Sequence, residues 1–245
     1  MTDETSCCLF GPVPSRRLGR SLGINNIPAK HCSYACVYCQ VGRTTHPLTT
    51  RRPFYAPQQI VQAVSDRLTQ LRQQGERVDY LTFVPDGEPT LDVHLGEAIE
   101  LLRPLGVPVA VMTNGSLLGR EEVRRELALA DWVSVKVDSV DEAVWRRIDR
   151  PHPSLRLDEI LQGIRVFAKS FAGELVTETM LVRGINDTDA VMRGVAEFLA
   201  GIRPCCAYLG IPVRPPVESW GAGRTRRCST SCTRCLPSRF SRWSA

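Results

Sequence analysis

No run of apolar residues in this chain approaches the roughly 18 that a membrane-crossing helix needs, so no membrane span is expected. Cysteine is absent from the whole stretch between Cys39 and Cys205, although the chain holds 10 in all. Small secreted scaffolds distribute cysteines as staples; clustered cysteines in a chain of domain size fit metal ligands in a reducing compartment. The first residues are acidic and polar, unlike a secretory leader, which makes the cytoplasm the expected location. Neither sign of charge dominates. Lys and Arg number 31 against 26 Asp and Glu, a formal net charge of +5, which permits nucleic acid without demanding it. No aromatic stripe of the kind that stacks single-stranded RNA is present. Lysine is scarce beside arginine.

What is present is a repeat of apolar strand, polar loop and amphipathic helix. Strands are expected around Leu22–Ile27, Tyr80–Val84, Val107–Met112, Trp132–Val137, Leu175–Val182 and Ala207–Ile211. Helices are expected over Pro57–Gln74, Thr90–Arg103, Gly119–Ala130, Asp141–Ile148, Asp158–Ser170 and Thr188–Ala200, each on helical spacing of apolar residues. Such alternation predicts an α/β fold with a parallel sheet covered by helices. An eight-unit barrel needs about 250 residues, and a long loop before Pro57 uses part of this length. A partial, open (β/α)6 TIM-like barrel is therefore expected, with a doubly wound sheet as the alternative. The organisation expected is a flexible N-terminus over 1–10, one domain over 11–217, a basic cysteine-containing tail over 218–245, and a monomeric state. Arg16, Arg17 and Arg20 lie among glycines and prolines and read as a solvated loop, or as a lip that meets an anionic group such as phosphate.

The segment His31 to Gly42 reads HCSYACVYCQVG, with Cys32, Cys36 and Cys39 spaced x3 then x2. Three thiolates at this spacing can hold three irons of a [4Fe–4S] cube and leave the fourth open. Zinc, or three core cysteines, are the other readings; a zinc loop usually returns with a second pair. Cys32-x3-Cys36-x-Tyr38-Cys39 resembles the radical S-adenosylmethionine (SAM) superfamily. GPVPSRRLGRSLGIN before it and Gln40-x-Gly42 after it resemble an iron–sulfur oxidoreductase subgroup related to the wybutosine tRNA-modifying synthases.

That resemblance implies a partial barrel, a [4Fe–4S] cluster held by Cys32, Cys36 and Cys39, SAM as cofactor, and an external electron donor such as flavodoxin or ferredoxin. It implies an oxidoreductase in which a 5′-deoxyadenosyl radical takes hydrogen from a substrate, a tRNA base being one candidate beside a small molecule or a protein. In a parallel barrel the chemistry sits at the carboxyl ends of strands, and the unusual residues cluster there. Gly87, Glu88 and Pro89 are expected at the methionine amino group, and Asn114 at the ligand's carboxylate or ribose. Lys136 and Asp138 share a face by period-2 alternation. They are the candidate catalytic and cofactor-binding pair, with a buried ion pair as the plainer reading. Met180 and Val182 are expected against adenine, or in the core. Ser116 and Asp187 read as helix caps. Lys30 and Lys136 are the lysines available should the substrate chemistry require an imine. The competing class is a non-enzymatic iron–sulfur or zinc-binding protein, which would need a fourth protein ligand such as His31 or His46.

Cys228, Cys232 and Cys235 repeat the x3, x2 spacing in an arginine-rich tail without apolar periodicity. The tail reads as a disordered basic end or a frameshift product, with a second metal site completed by Cys205 or Cys206 as the alternative. Anaerobically reconstituted protein and its Cys228→Ser variant are both expected to hold about four irons per chain. A higher count in the parent that falls in the variant would establish a second cluster.

Overall fold

A sheet whose strands follow one another in chain order is a barrel wall, and that is the order found in the computed structural model, which describes residues 8–44 and 47–212. Strand β1 (Leu9–Ser15) pairs antiparallel with β2 (Gly19–Ile24). From β2 every neighbouring pair is parallel, through β3 (Tyr80–Phe83), β4 (Val109–Thr113), β5 (Trp132–Lys136), β6 (Glu174–Met180) and β7 (Cys206–Gly210). The connections carry α1 (Pro57–Gln73), α2 (Leu95–Leu102), α3 (Glu121–Leu127), α4 (Glu142–Ile148), α5 (Leu157–Ser170) and α6 (Asp189–Ile202). The expected partial barrel of six parallel strands is present. A doubly wound sheet would reverse its strand order, and this one does not.

Strand alternation gives the wall two faces. Leu81 and Phe83 of β3, Val109 and Val111 of β4, and Val133 and Val135 of β5 point outward. They join Ile60, Val64 and Leu68 of α1 and Ile164 and Phe167 of α5 in the main core. The intervening residues line the inside. There Ala110, Trp132, Val176, Cys206 and Tyr208 pack around Leu18, from the β1–β2 turn, which is only 2% exposed. The hairpin thus folds its turn into the barrel and plugs it near the amino ends of the strands.

This hairpin corrects the loop reading of the segment after Gly11. Pro12 and Pro14 lack amide donors, but β1 is an edge strand, where a missing donor breaks no ladder. The Phe10 ring lies where a side chain at position 23 would be, and Gly23 leaves room for it. Strand β1 begins at Leu9, within the segment expected to be loose. The single helix expected from Thr90 is also divided: a 3-10 turn over Pro89–Leu91 precedes α2. The cause is Asp92, fully buried, which accepts from the Asn26 side-chain amide at 3.1 Å and from the His94 backbone at 3.0 Å. Cys228, Cys232, Cys235, the rest of the tail and His46 lie outside the described residues.

Leu18→Ala should cost about 2–4 kcal/mol of unfolding free energy, the range for emptying an aliphatic core site. Leu101→Ala, at a position 38% exposed, should stay within about 0.5 kcal/mol. Urea unfolding monitored by circular dichroism measures both; equal losses would mean that Leu18 is no plug.

Candidate active site

The chain leaves β2 into a loop that reaches α1, and this loop is pinned at several points. Lys30 N donates to the Asp86 carbonyl at 2.8 Å, Ala35 N to that of Asp149 at 3.0 Å, Val37 N to that of Ile148 at 2.9 Å, and Leu48 N to that of Cys32 at 2.8 Å. Gly42 turns the chain at φ 100°, a region that favours glycine. Between these pins stand Cys32, Cys36 and Cys39, all free thiols and all half-buried. Val37 and Tyr38 are both buried, packed with Ile148, Val182 and Ile185.

The donor set fits an iron–sulfur cube. Burial, and then the carboxyl of Glu88, push the Cys32 thiol up to about 12. Burial and then Asp149 raise the Cys36 thiol well above its ordinary value. Thiols so placed become thiolates only when a metal supplies positive charge. The Lys30 ammonium is buried beside Gly42 without a hydrogen-bond partner, a cation suited to a negatively charged cluster. Among the described residues no three His, Cys, Asp or Glu side chains converge on one ion. A single zinc requires donors at about 2.0–2.3 Å; a cube places each thiolate on its own iron.

The strand-end loops close around this triad. Glu88 is buried, and its carboxylate takes four short contacts. Oε1 accepts from Thr90 N at 3.1 Å, Thr90 Oγ1 at 2.6 Å and Thr113 Oγ1 at 2.6 Å, and Oε2 accepts from Asn114 N at 2.7 Å. Its own N–H donates to the His31 carbonyl at 2.9 Å. Glu88 therefore ties two strand ends to the cysteine loop. Gly87 lies against the same carbonyl: a Cβ there would sit 2.1 Å from His31 O. Pro89 is buried in the turn that follows. Asn114 donates from Nδ2 to Ser33 Oγ at 2.8 Å and to Cys32 Sγ at 3.6 Å, and its Oδ1 accepts from Ser116 N at 2.9 Å. The amide expected at the ligand thus donates to Cys32. Ser116 Oγ meets Ser33 Oγ at 2.6 Å instead of capping a helix, and Asp187 accepts from Gly184 N at 2.8 Å. The cap of α6 is Thr188.

Lys136 and Asp138 come to the same place but serve different partners. Asp138 is 2% exposed and accepts from Met180 N at 2.6 Å through Oδ1 and from the Tyr38 hydroxyl through Oδ2. Lys136 lies 3.9 Å from Glu178 and 4.4 Å from the centre of the Tyr38 ring. Burial opposes its charge, but Asp138 and then Glu178 more than offset this and raise its pKa. Val182 is buried against Val37 and Tyr38, and Met180, half-buried, packs on the same group. Two site residues, Asp149 and Glu178, escaped the sequence. Asp149 accepts from Tyr38 at 3.2 Å and from the Cys36 thiol at 3.3 Å. Burial and then Asp138 hold its carboxyl well above the usual range. Glu178 and Arg17 form a 2.8 Å ion pair inside the barrel. For Glu178 the signal was a carboxylate within an otherwise uncharged stretch of strand; for Asp149 no pattern marked it, while Arg17 reads in the sequence as part of a solvated loop or of an anion-meeting lip.

Comparison with known proteins agrees with this geometry. The model of the radical SAM superfamily matches residues 26–193. The chain is 53% identical over 211 residues to UPF0026 protein MJ1312 of Methanocaldococcus jannaschii, spanning 86% of this chain and 65% of that protein. It is 39% identical over 232 residues to UPF0026 protein slr1464 of Synechocystis, spanning 93% and 84%. Among solved structures, TYW1 with a lysine–pyruvate adduct bound is similar in fold, with a TM-score of 0.59 at 19% identity over 78% of this chain and 64% of that one.

Gly87→Ala should force the His31 carbonyl, a backbone group, to move and carry the cysteine loop with it. Expected are a loss of about 1–3 kcal/mol of stability and reconstituted iron well below four per chain. Full iron with unchanged urea unfolding would refute the close contact.

Proposed function

Because the chain belongs to the radical SAM superfamily, alongside the UPF0026 proteins it matches, we propose that it is a radical SAM oxidoreductase acting on a substrate inside its barrel. The observation that carries this reading is one loop offering three buried-side thiols at the carboxyl edge of a parallel wall, backed by Asn114 on Cys32. When bound, a [4Fe–4S] cluster and SAM supply one-electron cleavage of the sulfonium C–S bond, giving methionine and a 5′-deoxyadenosyl radical that takes hydrogen from substrate. An external donor such as flavodoxin or ferredoxin provides the electron.

The chain's own residues position, shield and neutralise. Cys32, Cys36 and Cys39 hold the three protein-bound irons, and the Asn114 amide orients the Cys32 sulfur. Val37, Tyr38, Val182 and Ile185 exclude water on one side of the loop. Asp138 acts as a positioning residue, since it fixes the Tyr38 hydroxyl and the end of β6. Glu88 does likewise for the ends of β3 and β4. Gly87 and Pro89 keep the loop slim where the methionine end of the cofactor would lie. Met180, beside Gly210 at the ends of β6 and β7, supplies an apolar rim for the adenine.

Anaerobic reconstitution, reduction with dithionite and addition of SAM should yield 5′-deoxyadenosine. Cys32→Ser, Cys36→Ser and Cys39→Ser should each bring it to background, with folding retained by circular dichroism. No deoxyadenosine from a fully loaded protein would overturn the reading.

A further inference from the structure

Above the Leu18 plug, the inner face of the wall carries a row of charge that meets the cysteine loop only where Lys136 lies over the Tyr38 ring. By register Lys136 of β5 stands beside Glu178 of β6, and Glu178 beside Tyr208 of β7. Arg17 enters from the β1–β2 turn. Its Nη2 donates to Glu178 Oε1 at 2.8 Å, and its guanidinium lies 4.1 Å from the centre of the Tyr208 ring. Lys136 is less well satisfied. Its nearest carboxylate oxygen, Glu178 Oε2, is 3.9 Å away, beyond hydrogen-bond distance, and its other neighbour is the Tyr38 ring face. Among the described residues its ammonium makes no hydrogen bond.

The side chains of Arg17, Glu178 and Lys136 are 20%, 22% and 22% exposed, so water reaches all three. Asp138 and Asp149 lie nearer the cysteine loop and spend their oxygens on Met180 N, Tyr38 and Cys36. Their field favours the charged ammonium, but their acceptors are turned to other donors. On the floor itself, two cations meet one carboxylate. Burial acts to raise the Glu178 carboxyl, yet Lys136 and then Arg17 leave it below its ordinary value, so it is ionised at neutral pH. A structural ion pair is stabilising only when each partner is fully hydrogen-bonded. Here the ammonium of Lys136, whose side chain is 22% exposed, is left without a hydrogen-bond partner among the described residues.

We propose that Lys136, with Arg17 held ready behind Glu178, seats an oxyanion of the substrate, a carboxylate or a phosphate. The inference rests on the barrel interior being the reaction chamber. Lys136 on the Tyr38 ring then sets the distance between that oxyanion and the cysteine loop, since Tyr38 directly precedes Cys39. Arg17 is a specificity residue carried by the hairpin, and Glu178 is the gate between the two cations.

The test uses full-length, cluster-loaded protein with SAM, titrated with inorganic phosphate or with acetate at constant ionic strength balanced by chloride. The melting midpoint should rise saturably with one of the two anions, which identifies the group. Lys136→Met and Arg17→Met should each weaken the half-saturating concentration at least tenfold. Glu178→Gln, nearly isosteric, should tighten it about tenfold by removing the competing charge. No saturable response in the parent, or the same response in Glu178→Gln as in the parent, overturns the seat. Deoxyadenosine formation is read in the same preparations. If it persists while the anion response is absent, only the seat fails; an anion response without deoxyadenosine supports the seat and removes the proposed reaction.

Discussion

The site depends on a buried carboxylate. Glu88 lies in a dry place where its charge is disfavoured, and burial raises its pKa accordingly. Hydrogen bonds from Thr113, Thr90 and Asn114 oppose that cost. Those donors come from the ends of β3 and β4, and the backbone of Glu88 holds the cysteine loop in turn. Removing any one donor would leave a charged oxygen under-satisfied in the interior, which costs more than the bond itself contributes. The three elements are therefore fixed together, and the geometry of Cys32 follows from the position of Glu88.

A second buried node works on the opposite flank. Tyr38 stands between Asp138 and Asp149, and Lys136 lies on its ring. Two carboxylates around one hydroxyl are costly to ionise together, and burial and then Asp138 raise the Asp149 carboxyl well above its ordinary value. The loop is thus gripped by Glu88 on one side and by this group on the other. Between the grips, burial raises the Cys32 and Cys36 thiols above their ordinary values.

Much of this was legible in the sequence, and the reasons differ by element. The parallel wall was readable because short apolar-rich runs such as Tyr80–Val84 and Trp132–Val137 recur between helices that keep a clean period. The cysteine loop was readable because ligand spacing is a local property. Hairpin β1–β2 was not, since its prolines and glycines carry the same local signal as a loop; only the edge position, a tertiary fact, makes them tolerable. Asp138 was found for the right neighbourhood, but its partners come from residues 38 and 180 and have no trace in local pattern. The pairing of Lys136 with Glu178 instead of Asp138 is a matter of cross-strand register, which period-2 reasoning along one strand cannot reach.

The hairpin also bears on why an open wall is stable. Six parallel strands that do not close leave two edges, and an exposed edge is a template for unwanted pairing. At one of them β1 covers β2, and its two prolines lack N–H groups, so that edge has fewer donors to offer. The same hairpin turns its tip inward, where Leu18 removes apolar surface from water at one level and Arg17 reaches Glu178 at the next. Length and polarity of that tip are coupled: a longer turn would lift Leu18 from its packing, and a shorter one would not bring a guanidinium to β6. A device that protects an edge has therefore to be built to the depth of the barrel, and this ties the charge of the barrel floor to the stability of the wall that surrounds it.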